Sequence, residues 1–196
     1  MIAIDYQIIP TEELVLNEGE VARRLHTTRG FEMAEIDLCL AELKVAAEAK
    51  FSAVRVPVKY LGKDTLDCGF GEFNSAMLIK NLQGCKEAFV FAVTLGLSVD
   101  RLLTQLSLVS PSKHFITDAL ASAMAEAAAD KAEEIIKGKL ACRPRFSPGF
   151  GDLSLELQPR ILNLLNAQRL LGITTNNSLL MSPGKSVTAI MGIKNE

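Results

Sequence analysis

The residues best suited to chemistry are gathered between Cys142 and Gly151, in the run CRPRFSPGFG. Two guanidinium groups, Arg143 and Arg145, are set among prolines and glycines. Proline holds its backbone at little entropic cost, so such a loop can stay preformed. Amides exposed beside Gly149 can hydrogen-bond a planar heterocycle. Arg145 can clamp a carboxylate with two parallel N–H bonds. A surface loop whose arginines pair with nearby acids has the same composition, and the loop residues leave both readings open.

Other chemistries lack their parts. Gly184-Lys185-Ser186 suggests a phosphate loop, but the position that must be glycine is Leu179, and the following VTAIMGI reads as a strand. Gly69-Phe70-Gly71 starts a dinucleotide fingerprint that fails at Asn74. His26 and His114 are isolated and no Gly-x-Ser-x-Gly elbow occurs, so a nucleophile triad has little material. Cys39, Cys68, Cys85 and Cys142 are too far apart for zinc-ligand spacing and read as buried thiols of a reducing cytoplasm.

The elements that must position the loop are legible in part. Ile2 to Ile9 reads as a strand, and Asn17 caps a helix through Leu25. Glu32 to Lys50 carries a helical stripe of Ile36, Leu40, Leu43 and Ala47. Ser52 to Tyr60 alternates as a strand, and Pro57 argues that it lies at an edge. Thr65 to Phe70 returns as a strand, and Phe73 to Leu82 fits either strand or helix. Lys86 to Leu95, apolar on both faces, is a buried strand. Ser98 caps a helix with Leu102, Leu103 and Leu106 inward. Ser110-Pro111 opens a long alanine-rich helix that ends at Gly138, its small side chains inviting close approach. Leu157 to Leu171 is one helix. The tail is a hairpin of Ser178 to Met181 and Val187 to Ile193 about Pro183-Gly184. No βαβ rhythm recurs, so an α+β fold is expected over a doubly wound sheet.

The 196 residues are 48% hydrophobic and 22% charged, enough for one domain with a real core. The net charge of −2, without clustered Lys or Arg, argues against a nucleic-acid partner. No apolar run is long enough to span a membrane, and the N-terminus lacks the basic start and cleavage site of a signal peptide. A cytoplasmic protein is expected.

Three segments together resemble the activation domain of cobalamin-dependent methionine synthase. They are Phe91 to Arg101 (FAVTLGLSVDR), Arg145 to Phe150 (RFSPGF) and Met181 to Val187 (MSPGKSV). The second is similar to the family's Arg-x-x-Pro-Gly-aromatic loop, the third to its Pro-Gly-x-Ser-Val turn. The likeness covers residues 85–193; residues 1–84 have no quotable match, and 1–196 is read as a single domain.

The resemblance implies a twisted antiparallel sheet flanked by long helices, and a site for S-adenosylmethionine. Arg145 would hold the methionyl carboxylate. Ser147 and Gly149 would offer backbone hydrogen bonds to the adenine side, with Pro148 between them in the binding loop. Phe150 stands where the family has tyrosine, and an acid on the long helix, Glu126 or in its place Ser122, would face the sulfonium or α-amino group. The family's Tyr-bearing segment beyond the last turn has no counterpart before Glu196. The implied function is reductive reactivation of the cobalamin of methionine synthase or a related corrinoid methyltransferase, acting in trans. Cobalamin would come only through that partner, and a flavodoxin- or ferredoxin-type protein would donate the electron. The alternative is a docking module for a corrinoid protein that no longer binds S-adenosylmethionine. A self-contained methyltransferase is disfavoured, since no glycine-rich turn follows the first strand.

Overall fold

The computed structural model describes residues 3–25 and 33–195. His26, Ile2 and Glu32 lie outside them. In chain order come β1 (Asp5–Ile8), α1 (Glu18–Arg24), α2 (Met33–Ala46), β2 (Lys50–Pro57), β3 (Lys59–Tyr60), β4 (Thr65–Asp67), β5 (Glu72–Asn74) and α3 (Ala76–Asn81). Then follow β6 (Glu87–Thr94), α4 (Leu97–Val109), α5 (Pro111–Lys137), α6 (Gln158–Leu164), α7 (Ala167–Leu171), β7 (Thr174–Thr175), β8 (Met181–Ser182) and β9 (Ser186–Ile193).

The main sheet has the order β1-β2-β6-β9, and every neighbouring pair is antiparallel. β6 is apolar on both faces because both are covered, as its continuous run of Ala, Val and Phe requires. Phe51, Phe91, Val93 and Met191 face a helical layer of α2, α4 and α5. Val54, Val90 and Ile190 face α3, α6 and α7 through Leu78, Ile161 and Leu171. The alanines of α5, among them Ala121, Ala125, Ala128 and Ala132, are buried and let the helix backbone lie close to β6 and β9. The expected α+β architecture, with an antiparallel sheet and long helices, is the one observed. No described helix is long and apolar enough to cross a membrane.

Local signals placed several ends correctly. Asn17 accepts from the Glu20 amide at 3.0 Å, and Ser110 caps α5, which stops at Gly138. Cys39, Cys68 and Cys85 are buried free thiols and Cys142 is half-buried; burial pushes the Cys68 thiol up to about 12.

Five local expectations need correction. α2 ends at Ala46, because Lys50 already pairs with Thr94 in the sheet. Pro57 does not mark an edge strand: β2 lies between β1 and β6, but β1 pairs only with Lys50 to Ala53, so Pro57 sits where no neighbour needs its missing N–H. α4 starts one residue before Ser98, from Gly96 at φ 84°, where no side chain caps it. Leu157 to Leu171 is broken at Asn166, which adopts the left-handed conformation that asparagine tolerates. The tail is no hairpin: β8 pairs with β7 while β9 pairs with β6, although the turn at Pro183-Gly184 is present. The ambiguous stretch Phe73 to Leu82 divides between β5 and α3, with Ser75 capping the helix.

Candidate functional site

The loop Cys142 to Gly151 covers the outer edge of β9. The Arg143 amide donates to the Gly192 carbonyl at 2.7 Å, and Phe146 and Ile190 exchange two bonds of 2.9 Å. An edge strand is thereby protected, and the loop gains a rigid backing. It then folds on itself: the Phe150 amide donates to Ser147 O and the Gly149 amide to Leu153 O, at 3.1 and 2.7 Å. Gly149 has φ +88°, and a Cβ there would meet Leu155 Cδ2 at 3.0 Å, so glycine is required. Beyond the loop, Asp152 accepts from Ser75 Oγ at 2.5 Å and from the Met77 amide, joining the loop to α3. The Ser75 bond, with backbone donors behind it, holds the Asp152 carboxyl below its ordinary value.

Arg145 turns away from the loop toward α5, where Glu126, Asp130 and Glu133 recur at helical spacing on one face. It reaches all three, at 2.7, 2.6 and 2.7 Å respectively. Burial alone would lower its pKa, but the bonds to Glu133 and Asp130 and the charge of Glu133 outweigh this and raise it. The arginine expected to clamp a ligand carboxylate is therefore already held by three carboxylates of its own chain. Three acids against one guanidinium leave two negative charges in excess.

The turn between β8 and β9 is latched from below. The Gly184 amide donates to Asp100 Oδ2 at 2.8 Å. Lys185 Nζ reaches Asp118 Oδ1 and Ser122 Oγ, each at 2.8 Å. Ser186 Oγ donates to Thr94 Oγ1 at 2.8 Å, a bond between facing residues of β6 and β9. Thr94 and Asp100 belong to FAVTLGLSVDR, and Gly184 to Ser186 belong to MSPGKSV. The sequence segments that resemble one family are thus joined in space by side-chain bonds.

Between the turn and the loop lies a cleft of about 250 Å³, lined by Glu126, Ser147, Pro148, Leu155, Gln158, Leu179 to Met181 and Ser186 to Thr188. Of the residues read from the sequence, Glu126, Ser147 and Pro148 line it. Arg145 stands behind Glu126. Gly149 shapes the loop, but its N–H is spent on Leu153 and is not free for a ligand. Phe150 is 65% exposed and stands edge-on to Phe146, off the lining. Ser122, the alternative to Glu126, is engaged by Lys185 and Asp118.

Sequence reasoning missed Gln158 and Thr188, each only 2% exposed at the cleft. The Gln158 amide pairs with Thr188 Oγ1, and its Nε2 also lies 2.8 Å from Met181 Sδ. One signal was available: Ser186 and Thr188 are polar at alternate positions of a strand otherwise read as apolar, which places both on one face.

No family model and no curated protein matches the chain. Among solved structures, the crystal structure of the MetH reactivation domain bound to AdoHcy aligns with a TM-score of 0.71 at 15% identity. The alignment covers 97% of this chain and 78% of that one. The chain has the fold of that reactivation domain.

Proposed function

We propose that the chain binds S-adenosylmethionine in the cleft between the Arg145–Phe150 loop and the Met181–Val187 turn. In that role it assists the reductive reactivation of a corrinoid methyltransferase in trans. The observation that carries this reading is a cleft bordered by two family-like segments, Arg145–Phe150 and Met181–Val187, the second latched to the third, Phe91–Arg101, through Asp100 and Thr94, in a fold shared with a domain that holds AdoHcy. The residues fit such a ligand. Glu126 borders the cleft and is oriented by Arg145, so a carboxylate awaits the α-ammonium or sulfonium. The excess negative charge of the Arg145 cluster favours a cation over a neutral analogue. Apolar Pro148, Leu155 and Val187 suit the flat faces of a purine.

In this reading the transferable methyl group belongs to S-adenosylmethionine and the cobalt to the partner's cofactor. The chain itself binds, orients and shields the ligand. Arg145 acts as the positioning residue for Glu126 rather than as the carboxylate clamp. The partner is a cobalamin-binding methionine synthase or a related corrinoid protein, served by a flavodoxin- or ferredoxin-type electron donor.

One observation favours the second reading, a docking module without ligand. The Arg145 guanidinium and the Gly149 amide are both satisfied within the chain. Calorimetric titration decides between them. Saturable binding of S-adenosylmethionine, weakened by Glu126→Gln, supports the first reading. Absence of binding at millimolar ligand, together with capture of a corrinoid protein, supports the second.

A further inference from the structure

Gln158 is a polar group in a part of the molecule that could have been apolar. It opens α6 at the floor of the cleft, 2% exposed. Its neighbours along the lining include Pro148, Leu155 and Val187. A buried primary amide has two N–H donors and two acceptor lone pairs to satisfy. Thr188 Oγ1 stands 2.8 Å from Nε2 and 3.0 Å from Oε1. One hydroxyl thus closes a ring with the amide, taking one N–H and giving its own proton to the oxygen. That ring fixes the plane of the amide.

The second N–H faces Met181 Sδ at 2.8 Å. A thioether is a weak acceptor, so this donor is under-satisfied at a cleft that lacks a better partner for it. Methionine is flexible and can withdraw at low cost. The donor therefore sits on the cleft floor, aimed by Thr188 and covered by a movable side chain.

We infer that Gln158 is a specificity-determining residue of this cleft, its second N–H exchanging the Met181 sulfur for a ring nitrogen of the ligand's purine. The inference rests on the function proposed above. A purine ring nitrogen accepts in the plane of the ring and has no hydrogen to clash with the amide. The apolar walls favour a flat ring over a ribose, whose hydroxyls would need several polar partners. A phenyl ring of similar area offers no in-plane acceptor and leaves the donor on sulfur. Thr188 acts through Gln158, as its positioning residue.

The test uses S-adenosylhomocysteine and its 1-deaza, 3-deaza and 7-deaza analogues, each lacking one ring acceptor. They are titrated into wild type, Gln158→Met and Thr188→Val. One of the three analogues is expected to bind wild type about 10-fold more weakly than the parent, the effect of leaving a buried donor unpaired. In Gln158→Met that penalty vanishes, while the parent still binds, about 10-fold more weakly. Thr188→Val keeps part of the discrimination, since the donor remains but loses its aim. Should Gln158→Met fail to fold, Gln158→Leu removes the donor with a smaller apolar side chain. Equal binding of all four ligands by wild type overturns the inference and leaves the proposed function standing. So does a penalty that persists in the Gln158 variant. No binding of either S-adenosylhomocysteine or S-adenosylmethionine by wild type overturns both.

Discussion

Arg145 shows how far a residue's role depends on its company. Read along the chain it is either a ligand clamp or a partner of nearby acids; in the fold it ties the loop to three acids of α5. Its removal would leave three carboxylates within one helical face without their shared counter-charge. Arg145→Ala is expected to destabilise the protein by about 1.5–3 kcal/mol, the worth of hydrogen bonds to charged groups. A urea titration reads this directly. Arg145→Lys should restore only part, because an ammonium cannot span three carboxylates as a guanidinium does. An unchanged midpoint in Arg145→Ala would mean that the cluster contributes nothing to stability. Asp152 gives a pH signature. Its carboxyl is held below the ordinary 3.8, so the folded state binds its proton less readily than the unfolded chain does. The contribution is therefore present above that value and is lost as pH falls through the depressed one. Melting curves of wild type and Asp152→Asn should differ at pH 6 and converge toward pH 2.

At the scale of elements, α5 and the β6–β9 pair form the frame of the site. α5 supplies Glu126, Asp130 and Glu133 on one side and its buried alanines on another. Ala128 is fully buried against the sheet core, so Ala128→Leu should cost about 1–3 kcal/mol through overpacking. Thermal denaturation measures it, and an unchanged melting temperature would show that the helix can move off the sheet freely. The β6–β9 pair is closed at its site end by Thr94, 1% exposed, which accepts from Ser186 Oγ and from the Gly96 amide. Thr94→Val keeps the shape, leaves the buried Gly96 N–H unpaired and breaks the link to Ser186, whose hydroxyl keeps the Pro183 carbonyl. A loss of about 1–3 kcal/mol is expected, with weaker ligand binding because the Pro183-Gly184 turn loses an anchor. Retained stability alongside lost binding would assign Thr94 to the ligand itself instead.

Over the whole molecule, a formal charge of −2 conceals a local concentration of negative charge beside the cleft. S-adenosylmethionine carries one more positive charge than S-adenosylhomocysteine. The first should bind more tightly, by several-fold at low salt, and the gap should narrow as ionic strength rises from about 0.01 to 0.3 M and the Debye length shrinks. Equal affinities at all salt concentrations would show that the Arg145 cluster is too far from the sulfonium to matter.

The sequence by itself determined the class of fold and many of the element ends. Buried β6, the start and stop of α5, and the caps at Asn17 and Ser110 depend on hydrophobic period and local hydrogen bonding, which act over a few residues. It also singled out the two segments that border the cleft, since loop chemistry of Pro, Gly and Arg is local too. Only the tertiary structure decided what those segments do to one another. Whether β8 would pair with β9 or with β7, and whether Pro57 would sit at an edge, depended on strands distant in the chain. Asn166 interrupts a stretch whose apolar residues continue at helical spacing on both sides, and there α7 turns to reach β2 and β6. Arg145 found its acids, and Gln158 its threonine, 12 to 30 residues away in sequence. Charge and hydrogen-bond partners are chosen by distance in space, and burial makes those choices costly to leave unmet. The residue types were visible from the start; which donors remain free for a ligand was a property of the packed chain alone.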